Sequence, residues 1–212
     1  VRLLTHVDII KFQSMAREVL RLRDDLNVMY ETVGYLDSML AAASYREMMG
    51  EWCEPQLTRA KDRQFYLEAD ELYHPLLTDP VKNTIHTHRN VLLTGSNASG
   101  KSTFIKTVAI NAILAQTIHT VLADSYRANF FRIYSSMALR DDIMSSESYY
   151  MVEIRSLKRI VDQSKCQGEP VLCFIDEVLR GTNTVERIAA STEILELLAA
   201  QNAFCFAATH DI

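Results

Sequence analysis

The sequence is 212 residues long, enough for one α/β domain and a smaller appendage. A formal charge of -5 argues against a broad basic face, so if nucleic acid is a partner its contacts are expected on parts of a protein outside this segment. No stretch reaches the roughly 18 apolar residues of a membrane-spanning helix, and four cysteines without CxxC spacing or a secretory signal fit a reducing cytoplasm.

From Leu3 to Met49 there is no proline, and apolar residues recur at helical spacing: Phe12, Met15, Val19, Leu22, Leu26, Met29, Val33, Leu36 and Leu40. One or two amphipathic helices are expected, with a break near Gly34. Pro55 closes this helical segment, so residues 1–55 and 56–212 are read as separate domains. Beyond it, Phe65-Tyr66-Leu67 reads as a strand, and His74-Pro75 and Asp79-Pro80 as loop. Val91–Thr94 reads as a strand, followed by a Gly-containing loop and a helix to about Ile118. Short strands are expected near Val121 and at Phe130–Tyr134, then a helix from Ser148 to Gln163. A strand at Val171–Ile175, a helix at Val185–Ala200 and a strand at Ala203–Ala208 complete the order. Strands alternating with helices imply a largely parallel sheet covered on both faces. The sequence opens on Val1 and stops just past a strand-like run, so it reads as an excerpt of a longer protein.

Gly95-Ser96-Asn97-Ala98-Ser99-Gly100-Lys101-Ser102 fits G-x-x-x-x-G-K-[ST] between a buried-type strand and a helix. Glycines let backbone N–H groups turn inward on phosphates, and the helix N-terminus adds a favourable dipole. Lys101 is expected on the β/γ-phosphates and the Ser102 hydroxyl on Mg²⁺, which identifies ATP with Mg²⁺ as the ligand; Thr103 completes the loop. Val171–Ile175 then delivers Asp176 and Glu177, the pattern of a Walker B strand. Asp176 is expected to hold Mg²⁺, and Glu177 to act as general base on the attacking water. That second acid points to a hydrolase rather than a P-loop kinase. A third apolar strand ends in Thr209-His210-Asp211, where His210 is placed to bond the γ-phosphate or the water.

Three stretches resemble one family. Asp176-Glu-Val-Leu-Arg-Gly-Thr-Asn-Thr184 is similar to the D-E-x-G-R-G-T-S-T run of MutS DNA mismatch-repair proteins. Ser148-Tyr-Tyr-Met-Val-Glu-Ile154 resembles their S-T-F-M-V-E-M segment, and Gly95–Thr103 their G-P-N-M-G-G-K-S-T. Leu36–Ala43, Trp52–Pro55 and His74-Pro75 resemble the run leading into the MutS ATPase domain. The match extends in order over about residues 30–212. Departures at Leu179, Val185–Arg187 and Tyr73 mark a divergent branch but remove no phosphate or magnesium group.

The resemblance implies a P-loop NTPase of the transporter-type (ABC) class, preceded by the end of long lever helices. It implies a homodimer in which ATP is sandwiched between subunits, with Ser148 of one subunit facing the γ-phosphate held by the other and Asn183 at the same interface. It implies coupling of nucleotide state to closure of helical arms around double-stranded DNA. A nucleotide-switched scaffold, or a MutS-like ATPase in another DNA transaction, is the alternative. A transporter ATPase is disfavoured because no Leu-Ser-Gly-Gly-Gln-type signature precedes Val171.

Overall fold

The computed structural model describes residues 7–61, 63–96, 99–137, 149–176 and 183–209. The chain falls into two units, Val1–Met48 and Met49–Ile212.

The first unit is helical. α1 (Val7–Arg21) and α2 (Arg23–Met49) are separated by one residue. Hydrogen bonds run through that residue, because Leu22 N–H donates to the Glu18 carbonyl at 2.9 Å and Leu26 N–H to the Leu22 carbonyl at 2.9 Å. The break expected near Gly34 is not there: Gly34 lies inside α2. An added Cβ at Gly34 would meet nothing within 4 Å. A glycine in an exposed helix costs only about 1 kcal/mol, which the surrounding helix formers outweigh. Neither helix has a buried residue among those described, so the apolar series from Phe12 to Leu40 stands exposed.

The second unit is α/β, with two four-stranded sheets where the sequence pattern suggested one. The parallel sheet has the order β4-β8-β7-β6, formed by Val91–Thr94, Ala203–Thr209, Val171–Asp176 and Arg132–Ser136. The other has the order β1-β5-β2-β3, from Gln56–Thr58, Ser125–Asn129, Leu67–Leu72 and Asn83–Thr87. In it only β1 and β5 run parallel. The sequence misplaced parts of this mixed sheet: β2 starts where the expected 65–67 strand ends, β1 and β3 were not anticipated, and Val121 forms a single bridge to Cys53 rather than a strand. The reason is its one-sided burial. Leu67, Ala69, Leu72, Tyr126 and Ala128 are buried, while Glu68, Asp70, His86 and Arg127 pair across its outer side. Such strands alternate apolar and polar residues and lack a continuous apolar run.

The two central parallel strands, β7 and β8, are apolar on both faces. Along β7, Leu172 and Phe174 join one core cluster, and Val171, Cys173 and Ile175 the other. β8 repeats the alternation, with Phe204, Phe206 and Ala208 on the first side and Ala203, Cys205 and Ala207 on the second. The first cluster takes in α3 (Lys101–Thr117), whose Ile105, Val108, Ala109, Ala112 and Ala115 are buried in it along with the inner face of the mixed sheet. The second cluster is closed by α4 (Tyr149–Ser164) and α5 (Thr184–Ala200), through Leu157, Ile160 and Leu198. Phe204 centres the first cluster, with ring centroids 5.7 Å from Phe131, 5.6 Å from Phe206 and 6.1 Å from Phe65.

Candidate active site

β4 ends at Thr94, and the chain turns into α3 through Gly95, Ser96, Ser99 and Gly100. Gly95 has φ 148° and Gly100 φ 89° with ψ 2°. Side chains with a Cβ rarely adopt these values, so the motif's two glycines stand where the turn requires them. Gly100 is the residue before the first turn of α3, and its carbonyl accepts the Phe104 N–H at 2.8 Å. The N-terminal turn of α3 therefore opens at the C-terminal edge of the parallel sheet.

Lys101 is folded onto this turn. Its Nζ donates to the carbonyls of Gly95 and Ser96 at 2.7 Å each and to Ser99 Oγ at 3.4 Å. Ser102 follows on α3 and is half-buried, while Thr103 is exposed. Beside the loop lies a cavity of about 790 Å³, within the size range of nucleotide and cofactor sites. Gly95, Ser96, Ser99, Gly100, Lys101 and Thr103 form one wall. A second wall comes from His74, Leu77, Pro80 and Val81, on the connection between β2 and β3, and from Asn83 at the start of β3.

That second wall was read from the sequence only as loop. A signal was present, since Leu76, Leu77 and Val81 are apolar residues exposed in a proline-bounded loop, a common mark of a contact surface. The wall is tied to α3 by Asn111, which is fully buried. Its Nδ2 donates to the Tyr73 carbonyl at 3.0 Å, and its Oδ1 accepts the Leu122 N–H at 2.8 Å. The His74 ring accepts the Leu76 N–H on Nδ1 at 3.2 Å. Burial, and secondarily the charge of Lys106, hold its pKa below the ordinary imidazole value.

Asp176 closes β7, half-buried, as the Cα partner of Ala208, while Thr209 partners Thr94. β8 thus lies between the strand that carries the loop and the strand that carries the acid. Two strand spacings separate β4 from β7, about 10 Å. All these strands are parallel, so their polar ends share one edge. Asn183 caps α5: its Oδ1 accepts the Glu186 N–H at 2.9 Å. Asn97, Ala98, Ser148, Glu177 and His210 lie outside the described residues.

The donors at this edge suit a hard cation. Ser102 brings a hydroxyl and Asp176 a carboxylate, the oxygen-only, sparse protein ligation that Mg²⁺ takes when phosphates complete its shell. Among the described residues, no three or more His, Cys, Asp or Glu side chains converge into a cage.

The family model described as MutS domain V matches residues 91–212. The DNA mismatch repair protein MutS of Pseudothermotoga lettingae is 40% identical over 126 residues, covering 58% of this chain and 15% of the relative. That of Thermus aquaticus is 34% identical over 142 residues, covering 65% of this chain and 17% of the relative. MutS protein homolog 4 of Homo sapiens is 30% identical over 190 residues, covering 85% of this chain and 19% of the relative. The chain therefore spans under a fifth of the length of these three relatives.

Proposed function

The chain belongs to the MutS family through its domain V, and on that premise we propose that it binds and hydrolyses ATP to drive a DNA-clamping, mismatch-repair-type protein. The observation that carries the reading is the shared sheet edge, where a glycine-built loop and a lysine line a nucleotide-sized cavity and Asp176 ends a parallel strand two places along. In this reading the fold is a P-loop NTPase of the transporter-type class, and residues 1–55 are the end of the lever region.

The loop N–H groups from Gly95 to Thr103, with Asn97 and Ala98 between them, cradle the phosphates. Lys101 exchanges the neutral carbonyls of Gly95 and Ser96 for phosphate oxygens, and these charge-assisted bonds are the stronger ones. Ser102 and Asp176 would hold Mg²⁺, and the ion would supply charge neutralisation to the phosphates. The cavity wall from His74 to Asn83 receives the nucleoside end. Glu177 takes the proton of the attacking water as its oxygen bonds the γ-phosphorus, and the bond to the β-phosphate oxygen breaks. His210 orients the γ-phosphate or that water. Ser148 and Asn183 serve a second subunit's nucleotide, so the active form is a homodimer working in the cytoplasm. Duplex DNA is gripped by parts of the protein beyond this segment.

The test is ATP hydrolysis by the full-length protein with and without mismatched or branched duplex. Stimulated turnover is expected, together with trapping of ATP and of the dimer by Glu177→Gln. Turnover indifferent to DNA, with no duplex binding, would sink the repair assignment. Unchanged turnover in Glu177→Gln would remove the general base.

A further inference from the structure

The loop joining β2 to β3 supplies most of the cavity's second wall, yet no residue from Tyr73 to Lys82 is buried. Apolar packing therefore does not fix its position; its two ends do. Tyr73 is its first residue and Lys82 its last, because Leu72 and Asn83 are Cα partners across β2 and β3. Both ends reach one residue, Glu51. The Tyr73 hydroxyl donates to the Glu51 backbone carbonyl, and Lys82 Nζ donates to Glu51 Oε2 at 2.6 Å. The Lys82 ammonium also stands over the Tyr73 ring, 5.7 Å from its centroid, so the two ends of the loop meet each other as well. The hydrogen bond from Lys82, and then its charge, hold the Glu51 carboxyl below its ordinary pKa. Glu51 has a fixed base, since Cys53, two residues on, exchanges backbone hydrogen bonds of 2.8 and 3.0 Å with Val121. The cavity-lining residues adjoin the clamped ones: His74 follows Tyr73, and Lys82 sits between Val81 and Asn83. Tyr73 is one of the chain's departures from the MutS run, so the family resemblance does not account for its hydroxyl.

We propose that Glu51, Tyr73 and Lys82 form a clamp that sets the affinity of the site for the nucleoside end of its nucleotide. The three are positioning residues, and none touches the ligand. The proposal rests on the ATP-binding reading above. Opening the clamp lets the wall leave its place, and affinity falls with the fraction of molecules in which the wall is still there. The phosphate loop forms a separate wall and keeps its hold on the phosphates. Because the Lys82–Glu51 pair is exposed to solvent, the effect of breaking it is modest.

The experiment titrates the full-length protein calorimetrically, with magnesium present, using ATP and inorganic tripolyphosphate, which has the phosphates but no nucleoside. Lys82→Met and Glu51→Gln are each expected to raise the Kd for ATP about three- to fivefold, while the Kd for tripolyphosphate moves less than about 1.5-fold. Tyr73→Phe should weaken ATP by about twofold with the same selectivity. The double variant at 51 and 82 should bind no more weakly than either single one, because both remove the same contact. Lys82→Arg, which keeps the charge, should recover most of the loss. An unchanged Kd for ATP in Lys82→Met, an equal loss for tripolyphosphate, or losses that add in the double variant would each overturn the proposal. Wild type that binds tripolyphosphate as tightly as ATP overturns it too, since the nucleoside then contributes nothing. Wild type that binds neither would instead sink the ATPase reading on which it stands.

Discussion

Removing the Asn111 side chain tests how the cavity is held together. Asn111 is 0% exposed and joins three pieces of chain: α3, the Tyr73 strap and Leu122. Asn111→Ala leaves the fully buried Leu122 N–H without its acceptor, at a cost of about 2–3 kcal/mol. The Tyr73 carbonyl loses its donor too, and being half-buried it adds about 1 kcal/mol. Alanine's better helix propensity returns about 0.5 kcal/mol, for a net loss of about 3 kcal/mol. That is a large fraction of the roughly 5–15 kcal/mol that holds a domain folded. Urea unfolding should show the midpoint falling with an unchanged slope. The strap continues into His74, so ATP should also bind more weakly under conditions where the variant is still folded. Asn111→Leu, which restores volume but no hydrogen bond, should not rescue either property. A loss below about 1 kcal/mol in Asn111→Ala would refute the reasoning, since it would mean that water replaces the amide at no cost.

Phe204→Ala should cost about 3–5 kcal/mol by emptying the centre of the aromatic cluster, and Phe204→Leu less than about 2, both read by denaturant titration. His74 supplies a pH dependence. Its folded pKa is depressed, so the unfolded chain binds the proton more readily. The site therefore costs nothing above the ordinary imidazole pKa near 6.5, and stability falls as pH drops through that value towards the lower folded one. His74→Gln should flatten the stability profile over that window; an unaltered slope would dismiss the ring as its source. Alkylation of the native protein, followed by mass spectrometry, should mark exposed Cys166 first. Cys53 should lag, its pKa raised to about 11 by burial and by the charge of Asp124. Cys173 should stay unmodified until unfolding, because its hydrogen bond with Cys205 and its burial both keep it a thiol.

The parts of this fold that were legible in the sequence are those where one signal serves two purposes. The run from Val171 to Ile175 is apolar without alternation because both faces of β7 are covered, and the same run ends on Asp176, where the proposed chemistry needs it. Gly95 and Gly100 announced the loop because their backbone angles exclude most other residues. The mixed sheet was obscure for the opposite reason: β3 has Ile85 as its one aliphatic residue, with two threonines, an asparagine and a histidine around it. Its membership of the sheet comes from pairing with β2, a long-range choice that no local pattern records. The His74–Asn83 wall was missed likewise. It meets the phosphate loop only because β2, β3 and α3 close on one core.

The insertion of β8 between β4 and β7 also orders events in time. Among the described residues β4 pairs with β8 alone, and those strands are more than a hundred residues apart in sequence. A ribosome therefore delivers the phosphate loop long before the strand that anchors it. Until Ala203–Thr209 emerges, β4 is an apolar segment without a sheet, and the loop has no fixed mouth to offer a nucleotide. ATP binding in the nascent chain would thus report that the sheet has been completed, and a ribosome stalled short of β8 should hold a chain that neither binds nucleotide nor escapes chaperones.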